Sequence, residues 1–256
     1  SGLTNLTELR LDVGDDVTTL APLAGLTKLR TLNLDNYSSN YFTLEDISAI
    51  ENLTELTELR LYLGDARDLS PLTNLTKLQS LNLSGNFSID DLSFLQGMTD
   101  LRELSISPYS NGSLRLEDLT DLRNLTKLQT LSLQVEGLGS LSGLEELTDL
   151  REIRMYGANC TYTDVDALTN LTALQTLYLP NRNYDLGTPL NIDGFANLTK
   201  LTELNINSEV ESLEPIRGLT GLKSLTYSGD NSYDGSSISL APLASLTGLT
   251  ELQINS

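Results

Sequence analysis

The chain has 256 residues, 35 acidic against 16 basic, for a formal charge of −19 and a pI near 4.2, and it contains no histidine. That balance removes any field that would draw nucleic acid or an anionic membrane, and the missing histidine removes the commonest general base, the usual triads and the commonest zinc ligand. One cysteine permits no internal disulfide, and polar residues interrupt the leucines every two or three positions, so no apolar run approaches the roughly 20 residues of a membrane helix.

From the N-terminus onward the motif L-x-x-L-x-x-L-x-L can be laid on the chain eleven times. Its third apolar residue falls at Leu9, Leu32, Leu59, Leu81, Leu104, Leu131, Ile153, Leu177, Leu204, Leu225 and Leu252, in steps of 23, 27, 22, 23, 27, 22, 24, 27, 21 and 27. Leu9, Leu81, Ile153 and Leu225 stand 72 residues apart. A unit this short cannot bury its own apolar face, so successive units must stack and share one core. The expectation is a curved, right-handed, strand-dominated solenoid forming a single domain over residues 1–256. Because the chain opens Ser1-Gly2 and stops at Ser256 just after a strand motif, without polar capping units, it is read as a segment of a longer protein.

Within one unit, Leu26 to Leu34, the last residues alternate apolar and polar, which predicts a short parallel strand with one buried face. A variable stretch follows, then apolar residues every third position, as in Leu44, Ile47, Ile50 or Leu116, Leu119, Leu122. That run is too short for an α-helix and predicts extended chain or single 3₁₀ turns on the convex side. Just before each repeat's first leucine stands Asn or Gly, at Asn5, Gly25, Asn52, Asn74, Gly97, Asn124, Asn170, Asn197 and Gly218. Both tolerate positive φ, which predicts a left-handed corner there.

Two surfaces are candidates for binding. On the concave face the first outward residue alternates Glu8, Thr31, Glu58, Ser80, Glu103, Thr130, Glu152, Thr176, Glu203, Ser224, Glu251. The alternation keeps like charges about 10 Å apart on strands about 4.8 Å apart, and Glu58, Glu103, Glu152 and Glu203 are expected to line an acidic groove that selects basic partners. Tyr62, Tyr156 and Tyr178 lie on the same face. The second surface is the set of 27-residue repeats, whose extra residues follow the strand: Asn36–Phe42, Pro108–Ser113, Asn181–Pro189 and Ser228–Ser237. Tyr, Ser, Asn and Gly dominate them, the composition of antibody binding loops, with Tyr37, Tyr41, Tyr109, Tyr184 and Tyr233 as expected contact residues. Asp230, Ser232 and Asp234 resemble the start of a calcium loop, but Ala241 stands where its closing glutamate belongs. No catalytic residues and no cofactor are expected.

These residues resemble the leucine-rich repeat family, and the stretch from Leu72 to Leu83, with the convex pairs Pro22-Leu23, Pro71-Leu72 and Pro242-Leu243, is similar to the short repeats of bacterial internalin-type surface proteins. The resemblance spans nearly the whole chain and implies an α/β fold by family convention. It also implies protein ligands on the concave sheet, hence a non-enzymatic module that binds a protein, or a glycan, at a bacterial cell surface or outside the cell. An intracellular regulatory scaffold resembling the eukaryotic phosphatase-regulating subunit is the other reading, separable by the flanking gene sequence. The family's convex asparagine ladder is missing: its place holds Asp15, Phe42, Gly64, Phe87, Leu114, Glu136 and Cys160. The family consensus allows Cys there, so Cys160 is read as a structural thiol.

Overall fold

Leucines three residues apart are what a 3₁₀ turn aligns, since with three residues per turn positions i and i+3 eclipse. A computed structural model describes residues 2–14, 17–36, 44–64, 66–109, 112–183, 186–229 and 238–255 and shows this use of the motif. In one repeat the N–H groups of Leu72, Leu75 and Leu78 donate to the carbonyls of Leu69, Leu72 and Leu75 at 3.0, 2.9 and 3.1 Å. All four leucines are buried. The chain then extends into a strand, where the period becomes two and Leu81 and Leu83 continue the same core. Each such side chain contributes about 1.5–3 kcal/mol by leaving water, so a repeat closes its apolar account only through its neighbours.

Eleven strands result: β1 Glu8–Asp12, β2 Thr31–Asp35, β3 Glu58–Leu63, β4 Ser80–Gly85, β5 Glu103–Pro108, β6 Thr130–Glu136, β7 Glu152–Ala158, β8 Thr176–Tyr178, β9 Glu203–Ile206, β10 Ser224–Ser228 and β11 Glu251–Asn255. They form one eleven-stranded sheet in chain order. Two-residue strands at Ser88–Ile89 and Ser113–Leu114 pair separately. The convex side carries 3₁₀ segments such as Ser48–Asn52, Ser70–Leu72 and Asp193–Asn197. Among the described residues no helix is long and apolar enough to cross a membrane.

Packing divides the chain into two compact units, Ser1–Arg115 with Ser132–Gln134, and Leu116–Leu131 with Val135–Ser256. In the first, Glu8, Thr31, Glu58, Ser80 and Glu103 are successive register partners. In the second, Glu152, Thr176, Glu203, Ser224 and Glu251 are. The 72-residue period is visible in the backbone too: Gly85 and Gly157 occupy equivalent strand ends at φ of 122° and 129°. A Cβ there would lie 1.9 Å from the Leu63 carbonyl oxygen and 1.7 Å from that of Val135, so only glycine fits.

The corners differ from expectation. Asn52, Asn74, Asn124, Asn170 and Asn197, like Gly25, Gly97 and Gly218, do not have positive φ; Asn159 is the non-glycine residue that does, among those described. Asn74 is the third residue of the turn closed by the Leu75 N–H on the Leu72 carbonyl. That place in a type I turn lies near φ −90°, ψ 0°, which also suits Asn and Gly, so the same residue choice has a right-handed cause. The family's asparagine ladder is replaced. Phe87, Leu114 and Cys160 fill its place as buried side chains, and burial raises the Cys160 thiol pKa. Turn donors are met instead by a short side chain two residues earlier: Asp46 accepts from the Ser48 N–H, Asp68 from Ser70, Asp91 from Ser93, Asp118 from Thr120, Ser140 from Ser142, Asn191 from Asp193 and Ser212 from Glu214.

Candidate functional site

On β7 the core takes Ile153 and Met155, which leaves Glu152, Arg154 and Tyr156 facing outward by alternation. Register sets Thr176 of β8 beside Glu152 and Tyr178 beside Arg154, with Glu203 and Asn205 of β9 next in line. Arg154 spans this width: its Nε donates to Glu152 Oε1 at 2.7 Å and its Nη2 to Glu203 Oε2 at 3.0 Å. Its guanidinium carbon lies 4.6 Å from the centre of the Tyr178 ring, a cation–π distance. The Tyr178 hydroxyl donates to Glu203, and so does that of Thr176, at 3.5 Å. The Tyr178 hydrogen bond is the main cause that holds the Glu203 carboxyl below its usual range, while burial pushes the Tyr178 phenol up. Tyr156 stacks beside Tyr178 at 6.1 Å with a 53° tilt and remains 49% exposed. The result is an aromatic pair on a sheet face, flanked on the same face by ion pairs.

A second tyrosine pair lies in the first unit. Tyr62 of β3 and Tyr109, just past β5, have ring centres 5.7 Å apart, tilted by 59°. The strand between them offers only Ser84 opposite Tyr62, followed by Ser107 on β5. Tyr109 is 45% exposed, as expected of a contact residue. Tyr62 is a correction: at 8% exposed it is a buried support for Tyr109 and presents little surface of its own.

The glutamate column also needs correcting in part. Glu152 and Glu203 are paired by one arginine, because Arg154 is long enough to reach over β8. Glu58 makes no ion pair among the described residues, since Arg60 turns to Asp35 at 2.7 Å, and Glu103 accepts from Ser80 Oγ at 3.2 Å. The small residues of the alternation are therefore donors as well as spacers: Ser80 serves Glu103, Thr176 serves Glu203 and Ser224 serves Glu251. Tyr37, Tyr41, Tyr184 and Tyr233, and the calcium candidates Asp230, Ser232 and Asp234, lie outside the described residues. Among those described, no three His, Cys, Asp or Glu side chains are grouped to hold a metal. A cavity of about 410 Å³ is lined by Arg67, Asp68, Asp90, Asp91, Ser93 and Phe94, but Asp68 and Asp91 already close turns through Ser70 and Ser93.

Comparison with known proteins follows the same lines. The internalin InlF of Listeria monocytogenes is 30% identical, with a TM-score of 0.67, over 99% of this chain and 82% of its own. The chain belongs to the internalin-type leucine-rich repeat family. Internalin C2 of the same organism is 22% identical over 85% of this chain and 88% of its own, with a TM-score of 0.61. The plant peptide hormone receptor RGFR1, in complex with RGF2, shares the fold at 19% identity and a TM-score of 0.68, over 99% of this chain and 45% of its own. No family model matches the sequence, and no curated protein does.

Proposed function

We propose that this internalin-type chain is a non-catalytic protein-binding module, displayed outside a bacterial cell, which grips its partner with the sheet face around Tyr156, Tyr178 and Arg154. The observation that carries the reading is Tyr156, a large aromatic ring half exposed on a largely polar sheet face and held beside a cross-strand ion-pair network. Rigid, half-exposed tyrosines supply contact area at small entropy cost and are the usual anchors of binding surfaces. Tyr109, supported by Tyr62, is a second anchor of the same kind. Relatives of the same fold support a role in recognition: RGFR1 is a peptide hormone receptor captured with RGF2.

The test is site-specific photo-crosslinking. A benzophenone side chain placed at Tyr156 should capture a discrete protein from host-cell surface extracts, while the same group at the convex Ser70 should not. With the partner in hand, Tyr156→Ala should weaken binding at least about tenfold at an unchanged melting temperature. Equal capture from both positions, or unchanged affinity, overturns the reading. Binding to a glycan array that Tyr156→Ala abolishes would replace the protein ligand by a glycan.

A further inference from the structure

Asn82, Ser84, Ser105 and Ser107 share a patch of the first unit's sheet and spend none of their side-chain hydrogen-bonding groups within the chain. Register sets Asn82 and Ser84 of β4 beside Ser105 and Ser107 of β5, with Arg60 and Tyr62 of β3 on the other side of β4. Each is half-buried on the outward face, and the residues between them go to the core. Among the described residues no hydrogen bond engages these side chains, and none of their polar atoms is buried without a partner, so the groups meet solvent. Neighbours on the same strands are committed: Ser80 donates to Glu103, and Arg60 to Asp35 at 2.7 Å.

The rings of Tyr62 and Tyr109 stand at the Ser84–Ser107 end of the patch, and Tyr109 is the exposed one. The Tyr109 backbone is fixed on both sides: its N–H donates to the Gly85 carbonyl at 2.6 Å, and its carbonyl accepts from the Gly112 N–H at 2.7 Å. Adjacent strands lie about 4.8 Å apart and alternate residues of one strand about 7 Å, so three hydroxyls, an amide and a ring converge on an area the size of a single hexose. Serine hydroxyls and the asparagine amide both donate and accept, which matches a ligand whose own polar groups are hydroxyls. An ammonium or guanidinium only donates and would leave the Asn82 amide donors idle. The tyrosine face takes the polarised C–H side of a pyranose ring. Glu58 and Glu103, one outward place earlier on β3 and β5, repel an anionic sugar and can accept from a neutral one.

We propose that Asn82, Ser84, Ser105, Ser107 and the exposed face of Tyr109 form a subsite for one neutral pyranose residue, stacked against Tyr109 and hydrogen-bonded to the small side chains. It rests on the reading of Tyr109 as an exposed anchor and gives that anchor a ligand chemistry; the surface around Tyr156 is independent of it. Methyl glycosides of glucose, galactose, mannose and N-acetylglucosamine, and methyl glucuronide as an anionic counterpart, are titrated separately into the full chain. The Asn82 side-chain amide and Tyr109 backbone resonances are followed, together with saturation transfer to the sugar. At least one neutral glycoside should shift both resonances saturably, receive saturation mainly on one C–H face, and bind more tightly than the glucuronide. Tyr109→Ala should weaken binding at least about tenfold at an unchanged melting temperature, and Asn82→Ala at least about threefold. Tyr109→Phe, which keeps the ring, should stay within about twofold, and Tyr156→Ala should change nothing. Flat resonances with all four neutral glycosides, equal affinity in Tyr109→Ala, or tighter binding of the glucuronide overturns the proposal. Failed protein capture at Tyr156 with the sugar shifts intact would sink the protein-binding reading and leave this one, and the converse result sinks this one alone.

Discussion

Tyr62 with Tyr109 and Tyr156 with Tyr178 are tilted pairs of nearly the same spacing, 5.7 and 6.1 Å, yet they are held in different ways. In the first unit one ring is buried and the other rests on it, so the support is packing. In the second, Arg154 lies over the inner ring and ties it to two glutamates, so the support is electrostatic. Packing support is lost only when atoms are removed, whereas electrostatic support can also be lost when a proton arrives. An exposed aromatic anchor therefore says little about its own robustness until the residue beneath it is known.

The largest expected effect is on the packed pair. Tyr62→Ala should cost about 3 kcal/mol, read as a lower urea midpoint, because it empties a buried site, and Tyr109 should then contribute nothing to binding. A loss under about 1 kcal/mol would mean that Tyr62 is a surface ring after all. Arg154→Ala should cost about 1–2 kcal/mol by removing two ion pairs and a cation–π contact that are only partly exposed. A double-mutant cycle with Glu203→Gln should show coupling of at least about 0.5 kcal/mol, and strict additivity would deny the network. Smaller again is the acid response. Glu203 has its folded pKa depressed, so its contribution is fully present above the unfolded value of about 4.3 and is lost as pH falls through the lower folded one. Urea midpoints measured from pH 6 to pH 3 should fall less in Glu203→Gln than in wild type, while Tyr62→Ala should leave the slope unchanged. Last, Tyr156→Ala should shift stability by less than about 0.5 kcal/mol, which separates the half-exposed anchor from the ring below it.

Much of this arrangement is legible in the residues themselves. The three-residue leucine spacing is the 3₁₀ period and the alternating pair that follows is the strand period, so the eleven strands, and the registers of Glu8 to Glu103 and of Glu152 to Glu251, follow from one motif. The corners depart from the left-handed expectation because Asn and Gly suit two backbone regions, and the choice between them depends on the turn that the next leucine closes. The pairing of Arg154 with Glu203 is 49 residues distant in sequence and depends on the reach of one side chain across Thr176 and Tyr178, which no spacing encodes. Tyr62 has an outward place in its strand, and its cover, to which the ring of Tyr109 contributes, comes from neighbours that the strand pattern does not encode.

The two rhythms of the sheet also constrain how its gene can change. Up to Leu225 repeat lengths recur every third unit, as the 72-residue spacing of Leu9, Leu81, Ile153 and Leu225 shows, whereas the glutamate column recurs every second unit. Unequal crossing-over between tandem copies would preserve both only when it moves six units, the least common multiple of the two. A gain or loss of three keeps the loop order but sets two glutamates, or two hydroxyl residues, on adjacent strands about 4.8 Å apart. A change of copy number that keeps both rhythms therefore comes in steps of six.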